Sequence, residues 1–394
     1  MSFTGVIGYY IAAITIVATV FFSLVYFLNE KKMHMKEEGS HTPPVSILVP
    51  AKNEEEYICA CVESLLALNY PKELLEIIVM DDGSTDSTAQ KVRGYEKFGV
   101  RLISKKNSGK ADSLNQGIKV AKGEIIATMD ADSYAAPDSL RMMVTYFKDK
   151  RVGAVAASVI AQNPKGVLGE IQRVEYLFAI FMRRIMEHIN CVTVTPGPFS
   201  IFRKSAIIEI GGFDPKSLVE DQEIALNMQK HGYLIRTAPG IHIRSEIPAN
   251  FFELMHQRVR WQRGGFYNAV KYRSLIGINR GDLGIIVMPY TLLGYITLTL
   301  IPITLFLDYL TESVYGQYFG FASIALGFGS LHVLSAVMLF FTLFWLYLGM
   351  REYFPKERIT IFSMALFVCI YPFLLTFFWV VAAYKEITRQ TRIW

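Results

Sequence analysis

The sequence predicts an α/β domain built on a parallel sheet and held between membrane-spanning segments. Three observations carry that reading. Charge crowds into residues 31–280, while both ends of the chain are nearly uncharged. Within the charged stretch, short apolar runs alternate with helically spaced segments, the pattern of a sheet covered by helices. The 394 residues are 52% hydrophobic and only 19% charged, too apolar for one ordinary soluble domain and long enough for a catalytic domain plus spans.

Four apolar segments are expected in the membrane. The first, 6–28, exceeds the roughly 20 residues that cross the hydrocarbon. It lacks the charged leader and small-residue cleavage site of a signal peptide. Lys31, Lys32 and Lys36 follow it, which places the central domain on the cytoplasmic side. The second, 283–307, precedes an acidic loop with Asp308 and Glu312. The third, 319–350, ends at Arg351, Lys356 and Arg358. The fourth, 359–384, has basic flanks on both sides and Pro372 at its middle. A simple span and a re-entrant pair of half-helices both fit it.

In the central domain, strands are expected at 45–49, 75–80, 100–103 and 124–129. Helices are expected at 58–68, 87–98 and 111–121. Ligands of such sheets bind beyond the carboxyl ends of the strands. Two amphipathic stretches, 168–189 and 251–272, mix apolar and basic residues at helical spacing. They fit helices in the membrane interface, or ordinary helices on the domain core. A net charge of +5 without a basic block gives no sign of nucleic-acid binding. Cys59, Cys61, Cys191 and Cys369 have no zinc-site spacing and read as free thiols.

Four motifs sit at element ends. Met80-Asp81-Asp82-Gly83-Ser84 follows the second strand; its carboxylates suit a nucleoside, although Asp-Gly-Ser is also ordinary turn chemistry. Asp130-Ala131-Asp132 follows the fourth strand. Its paired carboxylates suit a hard divalent cation on phosphate oxygens, or a helix cap. Glu220-Asp221 opens a helical pattern and suits a proton acceptor, or a favourable charge at a helix start. Gln257-Arg258-Val259-Arg260-Trp261 combines a guanidinium fork for phosphate with an aromatic face for a sugar ring, or anchors a helix at an interface.

Taken in order, these motifs resemble the processive, membrane-integrated members of glycosyltransferase family 2, the hyaluronan, chitin, cellulose and poly-N-acetylglucosamine synthases. Gln257, Arg260 and Trp261 match its Gln-x-x-Arg-Trp element. The run from Val49 to Glu54, the residues Asn107, Gly109, Lys110, Leu114 and Asn115, the loop from Gly197 to Ser200, and Gly211-Gly212-Phe213 are similar to further family segments. The likeness by motif covers residues 44–265. Lys52 stands where many members have Tyr, and Val219 where many have Thr or Ser.

The resemblance implies a GT-A fold with interfacial helices, one N-terminal and about three C-terminal transmembrane segments. The expected organisation is a first span at 1–30, a cytoplasmic catalytic domain at 31–244, an interfacial helix region at 245–281 and a membrane domain at 282–394. It also implies a UDP-sugar donor, a glycan acceptor and Mg²⁺ or Mn²⁺. Carried onto this chain, Glu54, Asp82, Lys110 and Asp130 bind the nucleotide sugar. Asp132 with Asp130 holds the metal. Asp221, beside Glu220, is the base. Gln257 and Arg260 secure the diphosphate, and Trp261 seats the acceptor. Implied too are an inverting, β-forming reaction, a product path through the membrane, contact with membrane lipids, and a multi-pass protein of the plasma membrane. Single-sugar transfer to a lipid acceptor is the alternative, since ceramide glucosyltransferase-like proteins share the Gln-x-x-Arg-Trp element. A catalytically silent scaffold would not need all of these carboxylates.

Overall fold

The structure, a computed structural model, describes residues 3–33, 41–315, 330–353 and 359–389. The chain divides into two compact units. One comprises Lys31–Asn250 with Arg392–Trp394, the other Met1–Glu30 with Phe251–Thr391.

The first unit is built on one eight-stranded sheet. Its strands are β1 (Val45–Ala51), β2 (Leu75–Asp81), β3 (Val100–Ser104), β4 (Ile125–Met129), β5 (Ser133–Tyr134), β6 (Val152–Ala161), β7 (Phe199–Arg203) and β8 (Leu234–Ser245), in the order β3-β2-β1-β4-β7-β6-β8-β5. The four strands legible in the sequence form the parallel half, β1 pairing with both β2 and β4, and β2 with β3. The other half departs from the all-parallel expectation. β7 runs antiparallel to both β4 and β6, and β5 is antiparallel to β8. The sheet is therefore mixed. β8 was hidden by Pro239-Gly240, a pair that reads as a turn. Here it forms a bulge, the register moving from Ala156↔Thr237 to Ser158↔His242.

Both faces of the sheet are covered. Ile47, Val49, Ile77, Val79 and Ile125 join Ile58, Cys61, Val62 and Leu65 of α2 (Ile58–Leu66) in one core. Leu48, Ile78, Met80 and Ile126 join Leu114 and Ile118 of α4 (Lys110–Val120) in another. Buried on both faces, the parallel strands read as continuous apolar runs instead of alternating ones. The expected helix at 87–98 is shorter: α3 (Thr88–Arg93) stops before Gly94, and a single tight turn follows at Glu96–Phe98. The remaining helices of this unit are α5 (Ser139–Met143), α6 (Gly166–His188), α7 (Lys204–Glu209) and α8 (Glu220–Lys230).

α6 is the first amphipathic stretch. It packs on β6 and β8 with Ile171, Val174, Leu177, Phe181 and Ile185 buried. Of the two uses open to that stretch, its apolar stripe serves the domain core. Arg184 is buried with it, bonded to Glu187 at 2.5 Å and to the Lys32 carbonyl at 3.2 Å.

The opposite, amino edge of the parallel sheet is stitched by polar groups. The buried Ser46 hydroxyl donates to Glu76 (2.6 Å) and accepts from the Gly123 amide (2.8 Å). Lys122 N–H donates to the same Glu76 carboxylate. This brings the chain so close that a Cβ on Gly123 would lie 2.4 Å from Ser46 N and 2.8 Å from the Ile125 carbonyl oxygen.

The second unit is helical: α1 (Phe3–Met33) up to Glu30, its last turn belonging to the first unit, with α9 (Phe251–Lys271), α10 (Met288–Tyr315), α11 (Ser330–Tyr353) and α12 (Ile361–Ile387). Among the described residues, three stretches are long and apolar enough to cross a membrane, Ile7–Lys32, Leu283–Ile303 and Ile361–Ile387. The third expected segment lies partly outside the described residues; α11 carries the apolar stretch Leu339–Arg351 at its end. The fourth is one continuous helix through Pro372, so the half-helix alternative is not what forms. α9 packs on α12 and α10. Arg263 pairs with Glu386 (2.7 Å), Gln262 donates to the Leu375 carbonyl (3.0 Å), and Phe266, Tyr295 and Trp379 form an aromatic cluster.

The crowding at Gly123 is against backbone atoms, which cannot rotate away. Gly123→Ala should destabilise the full chain by about 1–3 kcal/mol, the usual cost of overpacking. Thermal unfolding in detergent checks this, and an unchanged midpoint would contradict the stated contact.

Candidate active site

β1, β2 and β4 are neighbours and parallel, so the loops after them meet above one sheet edge. The β1 loop is fixed to the β2 loop by side chains. Asn53 takes a left-handed φ of 56°. Its Oδ1 accepts from Thr85 N–H at 2.8 Å, and its own N–H donates to Ser84 Oγ at 3.0 Å. Glu54 N–H donates to Thr88 Oγ1 at 2.8 Å. Asp81 closes the turn by accepting from Ser84 N–H (3.0 Å). Gly83, at φ 75°, lets Asn107 N approach within 3.0 Å of the position a Cβ would take.

Asp82 is buried, and its carboxylate is fully engaged. Oδ1 accepts from Ser108 N–H (2.9 Å) and Lys105 Nζ (2.5 Å); Oδ2 accepts from Gly109 N–H (2.8 Å). It therefore holds the 105–109 loop and, through it, the first residue of α4. That residue is Lys110. Its Nζ lies 2.6 Å from Asp130 Oδ1 and 2.7 Å from Glu220 Oε1. Burial alone would lower the ammonium's pKa; the Asp130 and Glu220 carboxylates outweigh it and hold the group above its usual value.

Asp130 and Asp132 sit on the turn after β4. Burial, then the charge of Asp130, pushes Asp132 up to about 6, against a hydrogen bond from Ser133 Oγ (3.0 Å). Burial, then Asp132, Asp130 and Asp86, pushes Glu54 up to about 7. Glu54, Asp130 and Asp132 thus feel one another, and Lys110 and Glu220 join them by direct contact. The cluster is richer in carboxylate than in cation, the condition that favours an incoming positive ion.

Asp221 follows Glu220 on the first turn of α8. Thr195 anchors that turn, its N–H and Oγ1 both donating to the Asp221 carbonyl at 3.1 and 2.9 Å. The loop then crosses the Lys110–Asp130 pair. A Cβ on Gly197 would lie 2.7 Å from Lys110 Nζ and 2.9 Å from Asp130 Oδ2, so a side chain there would push this pair aside. Asn115 fixes the turn before α8, donating to the Phe213 carbonyl (2.7 Å) and accepting from its N–H (2.9 Å). α6 contributes a cation. Burial lowers the Arg183 guanidinium to about 10, and the nearby Asp221 carboxylate opposes that fall.

Asp82, Lys110, Asp130, Glu220 and Asp221 are thus joined by an unbroken run of contacts and chain neighbours, with Glu54 and Asp132 in their field. Gln257, Arg260 and Trp261 are on α9, in the helical unit. There the cation over the Trp261 ring is Arg258, 4.1 Å from the centroid, and Arg258 also donates to Gln257. Arg258 was not singled out from the sequence. Its spacing of three residues before Trp261 on a helix was the available signal. Lys105, Ser108, Arg183 and Thr195 were also missed; their partners are distant in sequence and only the fold supplies them.

Among the described residues, no three His, Cys, Asp or Glu side chains are grouped closely enough to hold a metal ion. Asp130 and Asp132 fit an ion that keeps other oxygen ligands, as Mg²⁺ does with one or two carboxylates and substrate phosphates.

Comparison with known proteins agrees with this fold. Residues 46–211 match the family model for glycosyl transferase family 2. A poly-beta-1,6-N-acetyl-D-glucosamine synthase of Staphylococcus aureus (strain COL) is 32% identical over 259 residues, 64% of this chain and 61% of the relative. The match therefore spans less than two thirds of that relative's length. The synthase of the same name from Staphylococcus epidermidis (strain RP62A) is 29% identical over 320 residues, 77% of each chain. The solved structure of a mannosyltransferase from Pyrobaculum calidifontis, PcManGT, in complex with GDP-Man and Mn²⁺, superposes with a TM-score of 0.64 at 20% identity, covering 96% of this chain and 99% of that one. The shared fold is GT-A.

Glu54 offers a test of the crowded carboxylates. Its pKa rises from 4.5 to about 7 on folding, so between those values the folded chain holds a proton that the unfolded chain releases. Its charge then opposes folding, not at all below about pH 4 and fully above pH 7. Without metal or donor, Glu54→Gln should raise the thermal midpoint above pH 7, and the gain should fade toward about pH 4. A gain of the same size at both ends would contradict the raised pKa.

Proposed function

We propose that this chain, whose residues 46–211 belong to glycosyl transferase family 2, is a membrane-embedded inverting glycosyltransferase. It transfers sugar from a UDP-sugar donor to a growing β-linked polysaccharide. The observation that carries the reading is the contact run from the Asp82 loop through Lys110 and Asp130 to Glu220, one residue from Asp221. It supports a place for a diphosphate, a cation and a base within one small volume.

Glu54 and Lys110 bind the nucleotide, and Asp82 serves them by fixing the 105–109 loop. Asp132 with Asp130 takes Mg²⁺ or Mn²⁺. When bound, the ion supplies neutralisation of the charge that builds on the departing diphosphate. Lys110, a buried ammonium, adds to that stabilisation where water is scarce. Asp221 accepts the proton of the acceptor hydroxyl. The freed oxygen attacks the anomeric carbon opposite the diphosphate, converting an α-linked donor into a β-linked product. The assignment of Gln257 and Arg260 to the diphosphate and of Trp261 to the acceptor rests on their sequence motif.

The names of the staphylococcal relatives favour N-acetylglucosamine as the sugar and a polymer as the product. The apolar helices support a membrane location. Lys31 and Lys32 in the last turn of the first helix support a cytoplasmic catalytic domain in the plasma membrane, with the product leaving along the helices.

Purified protein given labelled UDP-N-acetylglucosamine, UDP-glucose and GDP-mannose should build a water-soluble polymer from the first. A single-sugar product extracted by organic solvent would instead establish a lipid acceptor. Asp221→Asn should lower transfer by about a thousandfold or more while UDP still binds, as loss of a general base and its charge implies. Turnover like the parent's would remove Asp221 from that role. Asp132→Ala should abolish the metal-dependent rate; a variant as active as its parent would exclude the metal role.

A further inference from the structure

Lys110 touches Asp130 in a way that a metal role for Asp130 has to accommodate. Its Nζ lies 2.6 Å from Asp130 Oδ1, and the same ammonium lies 2.7 Å from Glu220 Oε1. The Lys110 and Glu220 side chains are 14% and 5% exposed, so this is an interior contact and not a loose surface pair. Gly197 closes it from above, with backbone so near that a Cβ would touch both Nζ and Asp130 Oδ2. The ammonium uses only part of the Asp130 carboxylate's acceptor capacity, but it sets a full positive charge beside any ion that this carboxylate would hold. The acids around it are too dispersed, among the described residues, to complete a metal site by themselves. Whatever completes the site must bring oxygen ligands and compensate the lysine. A metal–diphosphate does both, because its phosphate oxygens ligate the ion and also accept from an ammonium.

We propose that Lys110 is a resident cation that releases Asp130 when a metal–nucleoside diphosphate arrives, taking a phosphate oxygen in exchange while Glu220 keeps it in the site. The proposal rests on the reading that Asp130 and Asp132 receive a divalent ion. It makes metal and nucleotide arrive together, since the bare ion meets an Asp130 already paired. It also makes Glu220 a positioning residue for Lys110, leaving proton acceptance to Asp221. Its charge and its contact both face Lys110.

The test is Mn²⁺ uptake by the full-length protein in detergent, read from the free-ion electron paramagnetic resonance signal with and without UDP. The parent should bind Mn²⁺ weakly alone and at least about tenfold more tightly with UDP. Lys110→Met should bind Mn²⁺ alone about tenfold more tightly than the parent, because a unit charge beside the ion is gone. The same variant should bind UDP more weakly. Glu220→Gln should bind Mn²⁺ alone no better than the parent. In turnover it should raise the donor KM while keeping the parental pH profile. A Lys110→Met affinity for Mn²⁺ alone equal to or below the parent's, in protein whose uptake responds to UDP, would overturn the exchange. An ionisation missing from the Glu220→Gln profile would make Glu220 a proton acceptor and overturn its positioning role. Absence of UDP-dependent Mn²⁺ uptake in the parent, or uptake unaffected by Asp132→Asn, would instead overturn the metal reading and the exchange with it. Should Lys110→Met lack a thermal transition, Lys110→Gln carries the same test.

Discussion

The Lys110 ammonium, held between Asp130 and Glu220, is the interaction on which the rest of the site depends. Each partner comes from a different part of the sheet domain: α4, the turn after β4, and the start of α8. No two are neighbours in sequence. A buried ion pair of this kind is weak support for stability, because desolvation offsets much of its attraction. Its value is positional. It fixes three elements to one point, and each of them carries a group to which chemistry is assigned.

The surrounding structure is organised to keep that point in place. Asp82 spends its whole carboxylate on the loop that ends at Lys110. Thr195 ties the start of α8 to the loop that passes over the lysine, and Gly197 makes the close passage possible. At the other edge of the sheet, Ser46, Glu76 and Gly123 keep β1, β2 and β4 in register. Displacing any of these would move a charged group and leave its buried partners uncompensated, which costs more than the pair itself contributes.

Much of this was legible in the sequence. Continuous apolar runs gave the four parallel strands to within two residues at either end, because burial on both faces leaves a simple pattern. Asp-Asp-Gly-Ser and Asp-Ala-Asp fell where parallel strands end, so their meeting above one edge followed from topology. The antiparallel half was not legible. β8 contains Pro239-Gly240, which local chemistry reads as a turn, and only a long-range register makes it a bulged strand. The engagement of Asp82 was equally hidden, since two of its partners are backbone amides and the third, Lys105, lies 23 residues further along the chain. Arg258 was overlooked because a motif drew attention to Arg260, although the helical interval to Trp261 favoured the former.

The central claim is that these acids gather around one cation carrying one diphosphate. Electron–nuclear double resonance of Mn²⁺ bound to the full-length protein with UDP addresses it directly, since phosphorus coupling reports phosphate oxygens on the metal. The account predicts strong ³¹P coupling in the parent and its loss from the protein-bound signal in Asp132→Asn. A bound Mn²⁺ without ³¹P coupling, or a coupled signal that persists unchanged in Asp132→Asn, would contradict it.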